Sequence, residues 1–425
     1  MSGWKMPKYL ILALFLMGLC SENLLAQRLN ESSVGLTLPT QRSLVKHNLE
    51  RVWWGQATVD PHRDRIVHLT LDEINLYAIS TSGIITAFNN ENGKKLWSTQ
   101  LGRGNNLSYP PVSNSKYVFI TVGTKLYSIE RQSGEIDWEL QLPTSPSTSP
   151  TVDEDTIYIG TLDGRVYAWN LRRLKELSGE SKLPDWRDSA VKWTFQTGDA
   201  ITTPSLVTPR ALVFASQDGS LYSVTLTDRQ LTYQFETDAP IATDLAENDK
   251  SVFLASEDQN LYCLNILNGI VRWRIRTSFP IREPVMVLEN EVYLSSRKSG
   301  LFQLSSETGQ EEWWQPLGMT FISMSPSRVY ASDKLGNLLV LARKDGALLS
   351  AVPLRKFQVK LMNDLTDRIF CASESGVILC LKQKDLPFPI RFKHQDRYPI
   401  LPEVAPEPAD ANENTTSPAT ENPVQ

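Results

Sequence analysis

The chain has few of the residues that build reactive or metal-bound sites. Its four histidines are His47, His62, His68 and His394, and it carries four cysteines in 425 residues. No histidine stands at metal-ligand spacing from another histidine, a cysteine pair or a helical glutamate. No two cysteines are adjacent, and the Cys-x-x-Cys-His, Gly-x-Ser-x-Gly and phosphate-loop patterns are all missing. No catalytic, cofactor-binding or metal-binding residue is therefore assigned. Long apolar runs are scarce as well. The run Tyr9–Leu19 has 11 residues, too few to span a bilayer comfortably, and nothing in the mature chain is longer. Positive charge is not concentrated either: a net charge of −5 without a basic stripe argues against a nucleic-acid partner.

The apolar run follows Lys5 and Lys8 and precedes a cleavage point at Ala26, so residues 1–26 read as an export signal. Leu24 is larger than such cleavage sites favour. Cys20 raises lipid attachment, but Leu19 occupies the place where a small residue is wanted; the expectation is an exported chain without a lipid anchor there. Removing this segment takes the net charge to −6. Residues 27–41 read as a linker. At the other end, residues 396–425 form a tail. From Pro402 onward it is rich in Pro, Glu, Ala, Asn and Thr, without aromatic or basic residues, and cannot bury enough surface to fold.

Between the ends, glycine precedes tryptophan by four residues at Gly93/Trp97, Gly134/Trp138, Gly269/Trp273 and Gly309/Trp313. Trp193, Tyr233, Trp273 and Trp313 follow one another at intervals of 40 residues. A period near 40 with strand-like sequence between the marks signals a repeat architecture. In one unit, Ser251–Ser256, Leu261–Leu264 and Ile270–Ile275 are short β-branched or aromatic stretches separated by turns, the pattern of an antiparallel meander. A first hairpin turn recurs at Gly83, Gly123, Gly164, Gly219, Asp258-Gln259, Gly300, Gly336 and Gly376. Eight turns make eight units. The sequence thus predicts an all-β, eight-bladed β-propeller of four-stranded antiparallel blades over residues 42–395, with the indoles filling the wedges between blades. The eighth unit lacks a glycine–tryptophan strand, and Leu49–Ala57, with Trp54 placed 43 residues before Trp97, is expected to close the ring. The seventh unit has Ser350 in the tryptophan register, which leaves seven blades as the alternative.

The insertion at 172–188 adds about 15 residues between a third and a fourth strand, on the ring face opposite the first hairpins. Its five basic and four acidic residues suit a partner-contact loop and neutral decoration equally. Connections between blades reach the mouth of the central channel, where Asp244, Arg282 and Glu283 are the candidate partner-binding residues; a solvated rim or a structural ion pair is the competing reading. Cys371 and Cys380 flank the turn at Ser375-Gly376. Symmetric pairing would set them opposite each other and permit a disulfide in an oxidising compartment; a shifted register would not.

The repeat, as in Asp163–Ala168 and Leu261–Trp273, resembles the tryptophan-docking repeat of the pyrroloquinoline-quinone-like propeller superfamily, over nearly all of residues 50–381. Its quinoprotein dehydrogenases carry adjacent cysteines over the quinone, which this chain lacks, so no cofactor is carried over. The sequence is more similar to the non-catalytic BamB-like branch. That resemblance implies a non-enzymatic scaffold in the periplasm or at the outer-membrane periphery, with envelope protein partners such as a component of outer-membrane β-barrel assembly. The alternatives are a divergent quinone-dependent oxidoreductase and an extracellular ligand-binding or sensor domain.

Overall fold

A computed structural model describes residues 38–393, apart from 61, 62, 103 and 105. The export signal, Cys20, His62, His394 and the tail from 396 lie outside the described residues. The short β-branched and aromatic stretches become 32 strands, arranged as eight four-stranded antiparallel sheets. Blade 1 contains Ile66–Leu71, Asn75–Ser80, Ile84–Asn89 and Lys95–Gln100. Blades 2 to 7 follow in chain order over residues 112–141, 151–196, 206–236, 246–276, 285–315 and 320–352. Blade 8 takes Val359–Lys360, Ile369–Ala372 and Val377–Gln383 from the end of the ring and Leu49–Gln56 from its beginning. The last pairing runs antiparallel from Leu49 opposite Gln383 to Gln56 opposite Val377 and closes an eight-bladed β-propeller.

The first strands of neighbouring blades touch one another and so line the central channel. Second and third strands are buried almost throughout, whereas fourth strands are largely open and most carry one inward-turned aromatic residue, as Lys95–Gln100 does at Trp97. The meander defines two faces. Turns between second and third strands, and the connections between blades, lie on one face, called here the hairpin face. The other two kinds of turn lie on the opposite face.

In all eight blades the fourth strand carries an irregularity in register just ahead of the docking position, for example between Lys95 and Trp97 and between Leu231 and Tyr233. An extra residue at such a bulge re-aims the next side chain. The aromatic residue then turns toward the following blade. Trp97 Nε1 donates to the carbonyl of Arg131 at 2.9 Å, Trp193 to Leu226 at 2.9 Å, Trp273 to Ser306 at 3.0 Å and Trp313 to Arg343 at 2.9 Å. Each glycine of the motif therefore serves the docking aromatic residue of the preceding blade (Tyr233 in the case of Gly269), not the tryptophan four residues on. A Cβ on Gly134 would stand 2.5 Å from Trp97 Cδ2, and one on Gly346 2.5 Å from Trp313 Cε3.

Blade 8 corrects the register expected at its closing strand. The bulge falls between Arg51 and Trp53, so Trp53, not Trp54, takes the docking position and donates to the Asn90 carbonyl at 2.9 Å. Trp54 turns to the other side, against the cluster of Leu44, Leu354 and Phe357. Ser350 now has a reason. The blade after it has no covalent turn between third and fourth strands, so no glycine turn exists to receive an indole; Leu44, on the short helix Gln41–Val45, belongs to the cluster that fills this region.

The 172–188 insertion folds. Asn170 caps the helix Leu171–Gly179 by accepting from the Arg173 amide at 3.0 Å, and a short helix Leu183–Trp186 follows. Leu171, Leu174, Leu177 and Leu183 pack in one cluster with Trp138 and Trp169. The insertion thus covers Trp138 where other blades have a tight turn between third and fourth strands.

The Cys371–Cys380 disulfide that symmetric pairing would permit is not formed. Cys371 stands opposite Leu379, and Phe370 stands opposite Cys380. Side chains alternate along a strand, so this one-residue offset sends the two thiols to opposite faces of the blade. Cys371 lies in the core between blades 7 and 8 and Cys380 in that between blades 8 and 1. Both are buried and free, as is Cys263.

Candidate interaction surface

The connection from blade 5 to blade 6 crosses the hairpin face with Arg282 and Glu283 side by side in the chain. Each reaches a different hairpin. Arg282 forms a two-pronged contact with Glu257 of the blade 5 turn, at 3.0 and 3.1 Å. Glu283 meets Arg297 of the blade 6 turn at 2.6 Å. The chain Glu257, Arg282, Glu283, Arg297 thereby ties two blades together. The carboxylates are largely covered, whereas the Arg282 and Arg297 side chains are 67% and 77% exposed. Such open pairs contribute at most about 1 kcal/mol each to stability. What they present outward is cationic, and Lys298 adds to it at the wall of a 230 Å³ pocket that both arginines line.

The floor beside these charges is aromatic. Phe279 packs on Phe302 with ring centres 6.3 Å apart, and Phe302 stacks on Trp314 at 6.2 Å. Trp314 is half exposed, with its Nε1 donating to the Ser299 carbonyl at 2.6 Å, and Leu317 is open beside it in sequence. Trp314 follows the docking Trp313, so strand alternation alone turns it outward; that was its only mark in the sequence. Glu257 and Arg297 carried no mark of their own. Their pairing with the connection follows from both kinds of loop sharing one face.

Asp244 does not line this pocket. It lies in the connection one blade earlier, at the position of Pro284, just before the channel strand Ala246–Asn248. Its side chain is open to solvent yet crowded by protein, and this desolvation pushes its carboxyl up from the usual aspartate value. The structure therefore brings Arg282 and Glu283 to one pocket and leaves Asp244 apart. Among the described residues, no group of three or more His, Cys, Asp or Glu side chains could hold a metal ion, and no helix is long and apolar enough to cross a membrane. His68 meets the Ser108 carbonyl at 3.0 Å, and burial pushes its imidazole down.

Eight closed blades, each docking an aromatic residue on the next wherever the turn allows, define a propeller of the pyrroloquinoline-quinone-like class. The profile of one family, described as outer membrane protein assembly factor BamB, matches residues 81–244 and 217–385. The chain belongs to that family. Among solved structures it is similar to BamB from Moraxella catarrhalis, with a TM-score of 0.62 and 15% identity over 80% of this chain and 99% of that one. It is also similar to the computationally designed Ika8 protein (TM-score 0.59, 14% identity, 77% and 99% covered). A third likeness is the C-terminal WD40 domain of Sif2 (0.58, 13%, 79% and 98%). At these identities the likenesses establish the fold alone. No curated protein matches the sequence.

Proposed function

We propose that this protein is a non-enzymatic scaffold of the cell envelope that supports assembly of outer-membrane β-barrel proteins. The family match across the ring carries this reading. The exported form and the periplasmic or outer-membrane location belong to the same proposal. The mechanism is rigid display. Blade connections held by the closed ring form a preorganised surface, so little ordering entropy is lost when a partner docks.

The surface we assign to the partner is the hairpin face of blades 5 and 6. It sets an exposed tryptophan beside exposed arginines, the residue types that dominate binding hot spots. Exposed guanidiniums over covered carboxylates suit an acidic partner segment with an apolar anchor. Asp244, Arg282 and Glu283 remain the named contact residues, with Trp314 now added.

Cross-linked capture of the tagged protein from detergent-solubilised envelope, followed by mass identification, tests the function. Enrichment of an outer-membrane β-barrel or its assembly factors is expected; a clean result without an envelope partner sinks the reading. Alanine at Asp244, Arg282 and Glu283 together tests the surface. Capture should fall at least tenfold while the unfolding midpoint shifts little, and unchanged capture would remove this assignment.

A further inference from the structure

On the face opposite the hairpins, the segment after blade 8 runs back over the ring. The Asp367 amide donates to the Ile390 carbonyl at 3.1 Å, and the Ile390 amide donates to Asp367 Oδ1 at 2.9 Å. The Phe392 amide donates to the Leu365 carbonyl at 2.9 Å, and Lys393 Nζ pairs with Asp364 at 2.7 Å. This strap roofs a pocket of about 300 Å³ at the seam where the N-terminal strand closes blade 8 against blade 1.

We propose that this pocket binds a small carboxylate carrying an apolar ring or chain. Its walls are mostly apolar, with Phe370 from blade 8 and Pro387, Phe388 and Pro389 from the strap. Set among them are Arg368, Lys382 and Arg391. Arg368 is 92% buried by its 8% residual exposure, yet its Nη1 has no hydrogen bond and its nearest carboxylate oxygen, on Asp367, is 3.7 Å away. Lys382 Nζ stands 3.6 Å from Glu50. Two other covered guanidiniums are held more closely: Arg131 lies 2.7 Å from Asp72, and Arg343 lies 2.6 Å from Glu289. Two acids also reach the pocket. Glu73 is held at 3.2 Å by Arg131, and Glu91 lies 3.5 Å from Arg391.

A buried guanidinium lacking a hydrogen bond is costly, and a carboxylate oxygen is the partner that satisfies it best. The ligand's carboxylate would lie toward Arg368 and Lys382. Its apolar body would lie along Phe370 and under Phe388, whose ring is 71% exposed at the rim. The volume suits one aromatic ring on a short chain. An ammonium in the same place would be repelled.

The test is isothermal titration of the purified protein with 3-phenylpropanoate, with the neutral 3-phenylpropanamide and with N-acetyl-phenylalaninate. Saturable one-to-one binding of a carboxylate, at least tenfold tighter than the amide, is expected. Binding by 3-phenylpropanoate alone marks a free acid as the ligand class; equal binding by the N-acetylated form marks a chain end. Lys382→Gln and Phe388→Ala should each weaken carboxylate binding several-fold with the unfolding midpoint unchanged, Phe388 being a rim residue whose loss leaves the core intact. The assignment is overturned if acid and amide bind alike, if no carboxylate binds saturably, or if both variants bind as the parent does. None of these outcomes bears on the scaffold reading, which concerns the other face.

Discussion

At the residue scale the ring depends on positions where a side chain cannot be added. Gly134 has φ +76°, and a Cβ there would enter the Trp97 indole. Left-handed backbone costs a non-glycine residue about 1–2 kcal/mol, and overpacking adds about 1–3 kcal/mol. Gly134→Ala should therefore lower stability by about 2–5 kcal/mol in urea unfolding. Gly179, at the end of the insertion helix with nothing within 4 Å of its Cβ position, supplies the control, and Gly179→Ala should be neutral or slightly stabilising. Asp244 shows the opposite kind of position, one where the present side chain detracts from stability. Its folded pKa is raised by desolvation above the ordinary 3.8. The folded state thus holds the proton more tightly than the unfolded one. Stability falls as pH rises from the unfolded value through the folded one, and the loss persists above it. Asp244→Asn should raise the thermal midpoint near pH 7 and leave it unchanged near pH 3. A carboxylate kept at such a place by the channel mouth fits use in binding better than use in folding.

At the element scale, blades are joined by more than stacked aromatics. Arg131 of blade 2 accepts the Trp97 indole N–H on its carbonyl, while its guanidinium pairs with Asp72 at 2.7 Å and Glu73 at 3.2 Å on blade 1. Asp72 in turn accepts from Tyr77 at 2.7 Å and from Ser113 at 2.9 Å. Arg343 repeats the device between blades 6 and 7, taking the Trp313 N–H on its carbonyl and pairing with Glu289 and Glu291. Removing one partner of a buried ion pair strands the other, at a cost of about 3–5 kcal/mol. Arg131→Ala should show that loss in equilibrium unfolding. Asp72→Asn combined with Arg131→Ala should then cost less than the two single changes added together, because the stranded charge is gone.

At the scale of the whole molecule, one strand decides whether the ring is closed. Leu49–Gln56 gives blade 8 its outer strand and brings Trp53 onto blade 1. Without it, Val377–Gln383 becomes an unpaired edge and the apolar cluster around Phe370, Ile378 and Cys380 loses its cover. Deleting residues up to 56 should abolish the single cooperative unfolding transition and drive the protein into aggregates, seen by size-exclusion chromatography. Retention of a monomeric, cooperative fold would show that the other blades suffice.

Much of this architecture was legible along the chain because its code is local. Turn glycines and the spacing from Trp193 to Trp313 repeat within about 40 residues, so eight blades and the closing segment could be read directly. Even Gln259 was legible as a turn, and it adopts φ +73° where the other blades use glycine. What depended on a single residue of register was not legible. The bulge before Trp53 exchanged the roles of Trp53 and Trp54, and the pairing of Cys371 with Leu379 separated two thiols that symmetry about the turn had placed together. A strand shifted by one residue reverses every side chain, and backbone pairing alone decides that shift. The candidate surface was half legible for the same reason. Arg282 and Glu283 stood out in their connection, but Glu257, Arg297 and Trp314 became their neighbours only when the ring brought separate loops to one face. Short-range repetition along the chain was enough to specify the fold. Which charges pair, which tryptophan looks outward and where the strap roofs a pocket were decided by ring closure, because those contacts join residues that nothing along the chain holds together.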